Sequence, residues 1–331
     1  MNIRYRVMRQ FDISDCVKVV AQHPDFQLQY GEQTEPLRRA LSRLIGSEGF
    51  RAFVFEDLDN AYPQIFGVGA IVFLTDAFAA KVITPPYFWI GPELTRLLLQ
   101  GETPFLSDKD VRKSNSGVGV NLFAWPLGFR PDYMKKPEVL NTLLGTFIHE
   151  VRGYKVKEFI GQSSDIEGTR VSLNSGALLL TGEGTFRELP AEGAQALLIR
   201  PHIIHILRES ALKSIGAWSS SIFVYRPPLV CFSMSEQRLL NAALQGGTDE
   251  DLSRDLAISL SAIKKAWCSI HERAAKHLPD TVMNLDSKPD RRNGDRGKQK
   301  KHRLLAYLRE HPEELRPYTR RTPDESLAAS R

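Results

Sequence analysis

Hydroxyl, basic and apolar side chains recur between residues 248 and 273 at a spacing typical of helices. Lys264, Lys265 and Ser269 fall on the opposite face from the apolar Ile263 and Ile270, because neighbours on one helix face are three or four residues apart. Ammonium and hydroxyl groups donate hydrogen bonds to phosphates and base edges. The pattern therefore predicts contacts with double-stranded DNA from Thr248, Leu260, Ser261, Lys264, Lys265, Ser269 and Arg273.

The C-terminal segment is strongly basic. From Lys288 to Arg331 there are 13 Lys and Arg against 7 Asp and Glu, so the whole positive surplus of the chain lies there. Neutralising phosphates releases counterions, so such a segment favours nonspecific DNA binding at low salt. The predicted phosphate contacts are Arg291, Arg292, Lys298, Lys300 and Lys301. The alternative is a solvated linker around Asn293 and Gly294.

A second group of residues could hold a small ligand. Arg130, Lys135 and Lys136 come just before a predicted helix and could bind an anion, and Trp125 belongs to a run of aromatic residues that could line a pocket. The alternatives are a charged surface turn for the three cations and core packing for the aromatic side chains.

Other motifs that could carry chemistry are incomplete. The glycine-rich fragment at 116–119 has no third glycine or following lysine. His149 and Glu150 would need a second histidine at position 153, which is Gly153, and no GxSxG motif occurs. Cys16, Cys231 and Cys268 form no metal-binding pattern. We therefore assign no catalytic residue and no metal site.

Three helices should position the DNA-contacting residues. Ser233 and Glu236 form a capping box for the first, and Gly246 with Gly247 ends it. Thr248 or Asp249 opens the second helix, and Ser259 or Ser261 caps the third. A further short helix carries Leu304, Leu305 and Leu308 and stops at Pro312.

This region resembles the LuxR-type, or GerE-like, helix-turn-helix. The matching or replacing positions are Phe232, Ser233, Glu236, Gly246, Asp251, Leu252, Ser253, Leu256, Ile258, Ser259, Ala262, Ile263, Lys264 and Ile270. Ala262 and Ala266 depart from the family pattern. The resemblance implies a transcriptional regulator that places its third helix in the major groove and binds two half-sites as a homodimer.

The N-terminal part alternates strand and helix patterns. Strands are predicted at 3–8, 51–56, 64–74, 118–129, 156–160 and 177–180, and helices at 12–21 and 139–151. Segment 224–232 is predicted as a strand and linker. This order indicates an α/β or α+β domain.

Residues 3 to 180 resemble the GNAT acyltransferase fold in this order of elements. The resemblance implies an acyl-CoA pyrophosphate loop after the fourth strand, with a Gln or Arg followed by spaced glycines. The sequence there is FRPDYMKKPEVLN, which lacks those glycines.

Length and composition complete the expected architecture. The 331 residues, 42% hydrophobic and 25% charged, suit a multidomain globular protein. We expect an α/β sensor-like domain at 1–225, an all-α helix-turn-helix DNA-binding domain at 226–280, and a basic linker with a helix at 281–331. No apolar stretch is long enough for a membrane span, and a cytoplasmic protein is expected.

Two further functions remain open at this stage. One is a GNAT-like acyltransferase with a helical recruitment domain, which would use acyl-CoA. The other is a protein-interaction adaptor. For the regulator, the N-terminal domain would sense an unidentified small-molecule effector or mediate dimerisation, without a resident cofactor.

Overall fold

The computed structural model describes residues 1–31, 33–59, 62–163, 166–181, 202–213, 216–279 and 293–319. The chain divides into two compact units. Unit 1 comprises Met1–Val151 and Lys155–Val224, and unit 2 comprises Arg152–Tyr154 and Tyr225–Arg331.

Unit 1 contains a seven-stranded sheet in its described part, with the strands in the order β1-β2-β3-β4-β5-β7-β6. Strands β1 to β4 form an antiparallel meander, β4 and β5 are parallel, and β5, β7 and β6 are again antiparallel. The strands are β1 Ile3–Val7, β2 Phe50–Asp57, β3 Gln64–Leu74, β4 Val120–Phe129, β5 Val156–Ser163, β6 Leu178–Leu179 and β7 His202–Leu207.

Helices connect these strands and cover the sheet. A parallel pair needs a crossover connection, and between β4 and β5 that connection is helical. The helices of unit 1 are α1 Ile13–Ala21, α2 Pro24–Tyr30, α3 Glu35–Leu44, α4 Asp76–Val82, α5 Ile90–Leu99, α6 Asp108–Ser116, α7 Pro131–Met134, α8 Pro137–Val151, α9 Ile166–Asn174, α10 Arg208–Lys213 and α11 Trp218–Phe223. A 3-10 turn, Gln10–Asp12, precedes α1.

The apolar core of unit 1 lies on both faces of the sheet. On one face α1, α3 and α5 pack on strand residues such as Phe123 and Ile160. Phe159, the neighbour of Ile160, points to the other face and contacts Phe147 of α8 and Trp218 of α11. Both faces are therefore covered by helices.

The α/β class predicted for the N-terminal part is confirmed. The predicted strands β1 to β5 and the helices α1 and α8 are present with ends shifted by a few residues. The strand predicted within 224–232 is wrong, because this segment is irregular and Cys231 has a φ of 53°. Several elements were missed, including α2, α3, α5 and β7.

Unit 2 is helical in its described part. Its helices are α12 Met234–Leu244, α13 Asp249–Leu256, α14 Leu260–His277 and α15 Asn293–Glu310, followed by a 3-10 turn at Pro312–Leu315. The predicted capping box of Ser233 and Glu236 is confirmed, as are the caps Thr248 and Ser259. Asn293 and Gly294, predicted as a linker, instead begin α15.

An apolar cluster joins the described helices of unit 2. It contains Leu239 and Leu240 of α12, Ile263 and Ile270 of α14, and Leu304 of α15. The predicted inward face of the third helix is thus confirmed. Helical packing alone, however, does not identify a DNA-binding module. None of the described helices in either unit is both long and apolar enough to cross a bilayer.

Candidate functional site

The parallel strands β4 and β5 diverge within unit 1. They pair from Val120 with Val156 to Ala124 with Gly161. Beyond that point Trp125 pairs with Ala70 of β3, whereas Gln162 pairs with Ile203 of β7. Within the described residues, the backbone pairing between β4 and β5 therefore ends at Ala124, and the two strands separate beyond it.

A β-bulge lies in β4 where the strands part. Ala70 of β3 pairs with Trp125, and Val68 pairs with Gly128, so β4 carries one extra residue between them. An extra residue bends the strand and removes part of its ladder. The bulge thus coincides with the end of the pairing between β4 and β5.

Aromatic side chains from α2 and β4 pack together around the start of α5. Trp125 is only 3% exposed, and Tyr30 of α2 stacks on Phe26 with ring centroids 5.0 Å apart. A methyl group at Gly91 of α5 would lie 2.7 Å from Trp125 Nε1 and 2.8 Å from Tyr30 Oη. Only glycine therefore lets α5 approach both polar atoms.

Tyr30 is a hydrogen-bond donor at neutral pH. Burial raises the pKa of its phenol, and the side chains of Thr95 and Trp125 oppose this shift only in part. Its Oη is buried and makes no hydrogen bond within the described residues. The phenol therefore remains protonated at neutral pH.

Gln162 fixes the start of α5 beside the divergence. Its side-chain carbonyl accepts a hydrogen bond from the backbone N–H of Ile90 at 2.9 Å. Its amide donates to the carbonyl of Phe88 at 3.1 Å. Both groups of one buried side chain thus hold the segment that carries Gly91.

The junction between β4 and α8 carries the cationic residues predicted to bind a ligand. Tyr133 lies parallel to Phe66 with centroids 4.3 Å apart, and its hydroxyl donates to Asp57 Oδ2 at 2.8 Å. The Lys136 ammonium lies 4.3 Å from the Tyr133 ring centroid, and the Arg130 guanidinium lies 5.4 Å from it. These two cations are therefore anchored on one aromatic ring.

Charge at this junction is only partly balanced. Arg130 Nε lies 3.5 Å from Asp132 Oδ1. The pKa of Asp57 is lowered by the backbone N–H of Asp59, with smaller contributions from the Tyr133 hydroxyl and Lys136. Lys135 is exposed. The junction can therefore attract an anion through Lys135 and Lys136.

The structure places the four residues predicted to bind a ligand in two parts of unit 1. Trp125 lies in β4 and Arg130 directly follows it, whereas Lys135 and Lys136 lie between α7 and α8. Core packing of Trp125, one of the two alternatives, is confirmed by its burial. Tyr30, Gly91 and Gln162 were missed because only the fold brings them to the divergence.

Some of the predicted DNA-contacting residues have partners within unit 2, and the others are exposed to solvent. Ser269 donates to Glu236 Oε1 at 2.8 Å, and Arg273 forms an ion pair with Glu236 at 3.0 Å. Thr248 accepts a hydrogen bond from Asp251 N at the start of α13, and Ser261 is 2.9 Å from Ser259 Oγ. Leu260, Lys264 and Lys265 are exposed.

The predicted phosphate contacts are only partly described. Lys301 donates to Asp249 Oδ1 at 2.7 Å and lies 4.7 Å from the Trp267 ring centroid, so it has a structural partner. Lys300 is exposed. Arg291, Arg292 and the side chain of Lys298 lie outside the described residues. No group of three metal-binding side chains occurs in the part of the chain that the structure describes.

Known proteins offer structural rather than sequence similarity. No protein-family model matches the chain, and no curated protein sequence matches it. A spermidine N-acetyltransferase from Vibrio cholerae, in complex with CoA and spermine, is 10% identical over 63% of this chain and 98% of its own, with a TM-score of 0.35. The loading GNATL domain of CurA from Lyngbya majuscula is 12% identical over 62% of this chain and 98% of its own, with a TM-score of 0.36.

These comparisons correct the main functional prediction. Solved structures that resemble the chain include a spermidine N-acetyltransferase and a GNATL domain, and no family model supports the LuxR-type resemblance. The interpretation as a DNA-binding transcriptional regulator is therefore wrong. Of the two resemblances, that to the GNAT fold is the one with counterparts among these solved structures.

Proposed function

We propose that this chain is a GNAT-like acyltransferase that binds acyl-CoA where β4 and β5 diverge. The observation that carries the proposal is the parting of the only parallel strand pair in the described sheet, directly before the helical crossover. A crevice at the carboxyl ends of parallel strands is a recurrent place for ligands.

The diverging backbone suits an extended ligand with amide groups. Beyond Ala124, the described residues of β4 pair with β3 but no longer with β5. The pantetheine arm of CoA carries two amides, so it can pair with a strand edge as an added strand does. Pro126 has no N–H, which places any donation by β4 to the ligand at other residues of the strand.

Side-chain cations replace the missing glycine loop at the phosphate end. Lys135 and Lys136 immediately precede α8, which begins at Pro137. Lysine binds phosphate as a flexible point charge. The CoA pyrophosphate would therefore be held by ammonium groups and the start of the helix rather than by a row of glycine amides.

The transfer itself requires a nucleophile from the acceptor. Its nitrogen or oxygen bonds to the acyl carbon, the carbon–sulfur bond breaks, and the CoA thiolate takes up the proton that the acceptor loses. Tyr30 Oη and Trp125 are buried beside Gly91 of α5, so they would shape the wall behind the acyl group rather than contact its carbonyl.

The test compares CoA with pantetheine, which lacks the phosphates. Calorimetric titration of the full chain should show CoA binding, and Lys135→Gln with Lys136→Gln should weaken it about tenfold or more. Pantetheine binding should not change. Lys113→Gln, an exposed lysine on α6, is the control.

Turnover is measured separately as release of free CoA thiol from acetyl-CoA in the presence of primary amines. Absence of CoA binding, or an equal loss for CoA and pantetheine in the double variant, would contradict the proposal. Binding without turnover for any amine tested would reduce the function to acyl-CoA binding.

A further inference from the structure

A polar groove lies between the start of α1 and one face of α3 in unit 1. Its volume is about 530 Å³, which falls within the roughly 300–1,000 Å³ of small-molecule sites. Phe11 and Ser14 lie on one wall, and Arg38, Arg39, Ser42 and Arg43 lie on the other. We call it the α1–α3 groove. It shares no residue with the divergence of β4 and β5.

The α3 wall carries a positive surplus. Residues 38, 39, 42 and 43 follow the helical spacing that leaves Leu37, Ala40, Leu41 and Leu44 in the core. This wall carries three arginines and one acidic side chain, Glu35. The wall therefore attracts an anion.

The three arginines differ in how firmly they are held. Arg43 donates to the backbone carbonyl of Leu98 at 2.9 Å. Arg38 reaches across the groove to Ser14 Oγ at 3.3 Å, and it lies 4.0 Å from Glu35. Arg39 is exposed and has no ion pair within the described residues. Arg38 and Arg39 are thus two guanidinium groups that line the groove without a partner at ion-pair distance below 4.0 Å in the described residues.

The opposite wall presents an aromatic ring to solvent. Phe11 is 70% exposed, and the guanidinium carbons of Arg6 and Arg9 each lie 5.9 Å from its ring centroid. Arg6 is held in place by Asp12 and Glu56. The ring is therefore flanked by cations and displayed at the rim of a cationic groove.

We propose that the α1–α3 groove binds a small aromatic phosphate. The phosphate would lie on Arg38 and Arg39, because guanidinium groups bind phosphate oxygens through paired hydrogen bonds. The aromatic ring of the ligand would pack on Phe11, because offset stacking of two rings is favourable. This site is independent of the acyl-CoA site.

Phenyl phosphate is the probe, titrated into the full chain by calorimetry. It should bind more tightly than inorganic phosphate or benzyl alcohol. The Arg38→Gln/Arg39→Gln variant should weaken binding of both phosphates about tenfold or more. Phe11→Ala should abolish the advantage of phenyl phosphate over inorganic phosphate and leave the latter unchanged.

Matched variants keep the test decisive. Arg112→Gln/Lys113→Gln on α6 removes the same charge outside the groove and should leave phenyl phosphate binding unchanged. Equal urea midpoints of all variants would show that they are folded. Absence of phenyl phosphate binding at millimolar concentration, or an equal loss in the α6 variant, would overturn the proposal.

Competition separates this site from the acyl-CoA site. Saturating pantetheine, which has neither a phosphate nor an aromatic ring, should leave phenyl phosphate affinity unchanged. Displacement by pantetheine would overturn an independent groove site, whereas failure of CoA to bind at all would contradict only the acyltransferase proposal.

Discussion

At the scale of single residues, Gly91 controls how closely α5 approaches the divergence. A Cβ there would contact Trp125 Nε1 and Tyr30 Oη at distances that require both rings to move. We predict that Gly91→Ala lowers the free energy of unfolding by about 1–3 kcal/mol through overpacking. CoA affinity should fall as well. Urea denaturation and calorimetric titration measure the two effects.

Gly145→Ala is the matched control for this substitution. Gly145 lies within α8, and a methyl group there would have no neighbour within 4 Å. Alanine in a helix interior is more stable than glycine by roughly 0.5–1 kcal/mol, so this variant should gain stability. Loss of stability at both positions would contradict the steric explanation for Gly91.

Tyr133 couples the cationic junction to a buried aspartate. Its hydroxyl bonds to Asp57 Oδ2, and Asp57 is almost fully buried. Tyr133→Phe leaves the carboxylate with one donor fewer, which should cost about 1.5 kcal/mol at neutral pH. Urea midpoints at several pH values measure the loss.

The pH dependence of this loss has a definite sign. The pKa of Asp57 is lowered in the folded state, chiefly by the backbone N–H of Asp59 and also by Tyr133. The resulting stability is present above the ordinary aspartate pKa of about 3.9 and is lost as pH falls through the folded value. The difference between wild type and Tyr133→Phe should therefore shrink below about pH 4. The exposed Tyr62→Phe should change nothing at either pH.

At the scale of elements, the helices and strands that the sequence predicted are those whose signals are local. The hydroxyl caps of α12, α13 and α14 are encoded within three residues of each helix start, and all three were predicted. Strands β2 and β3 are long apolar runs separated by turn residues, and they too were predicted. Their signals lie within one stretch of chain.

Elements with weak local patterns were missed. The short helix α2 begins at a proline, and the six residues of β7 follow a stretch of mixed composition. The pairing of β4 with β5 and the bulge at Trp125 depend on contacts between distant residues. Since the candidate site is made by that pairing, sequence patterns located its cations but not Tyr30, Gly91 or Gln162.

Glu236 is the partner of two residues of α14 that were predicted to contact DNA. Its carboxylate accepts from the backbone N–H of Ser233 and from Ser269, and it pairs with Arg273. Polar residues outside the apolar stripe were taken to face a ligand. In the fold, Ser269 and Arg273 instead join α14 to the start of α12.

We predict that Glu236→Gln destabilises unit 2 by about 1–2 kcal/mol at neutral pH. Burial raises the pKa of Glu236, but hydrogen bonds from Ser233 and Ser269 and the charge of Arg273 outweigh it, so the folded pKa is lowered. The contribution is present above the ordinary glutamate value and is lost as pH falls through the folded pKa. Hydrogen exchange of peptides from α12 and α14 measures it. The exposed Glu250→Gln is the control, and equal effects would contradict the role of the network.

At the scale of the whole molecule, the chain passes from unit 1 to unit 2 twice. Arg152–Tyr154 follow α8 in sequence but belong to unit 2, and the chain then returns to unit 1 at Lys155. A fragment ending near residue 225 would retain this tripeptide but lose the residues it contacts in unit 2. Binding and turnover experiments therefore require the full chain.

The tripeptide is held in unit 2 by specific contacts. Arg152 forms an ion pair with Glu313 at 3.0 Å and donates to the carbonyl of Glu310 at 2.8 Å. Arg316 lies with its guanidinium carbon 5.1 Å from the Tyr154 ring centroid. Gly153 has a φ of 88°, and a Cβ there would meet the Glu313 backbone. The segment therefore depends on the 3-10 turn at Pro312–Leu315.

We predict that Arg152→Ala lowers the stability of unit 2 by about 2 kcal/mol, because it leaves the buried Glu313 carboxylate without its guanidinium partner. Hydrogen exchange should accelerate in peptides from α15 and the 3-10 turn. Arg254→Ala is the control, because its ion pair with Asp251 is exposed and such pairs contribute about 0–1 kcal/mol. Unchanged exchange in Arg152→Ala would mean that the tripeptide is not a structural part of unit 2, and the division of the chain into these two units would then have to be redrawn.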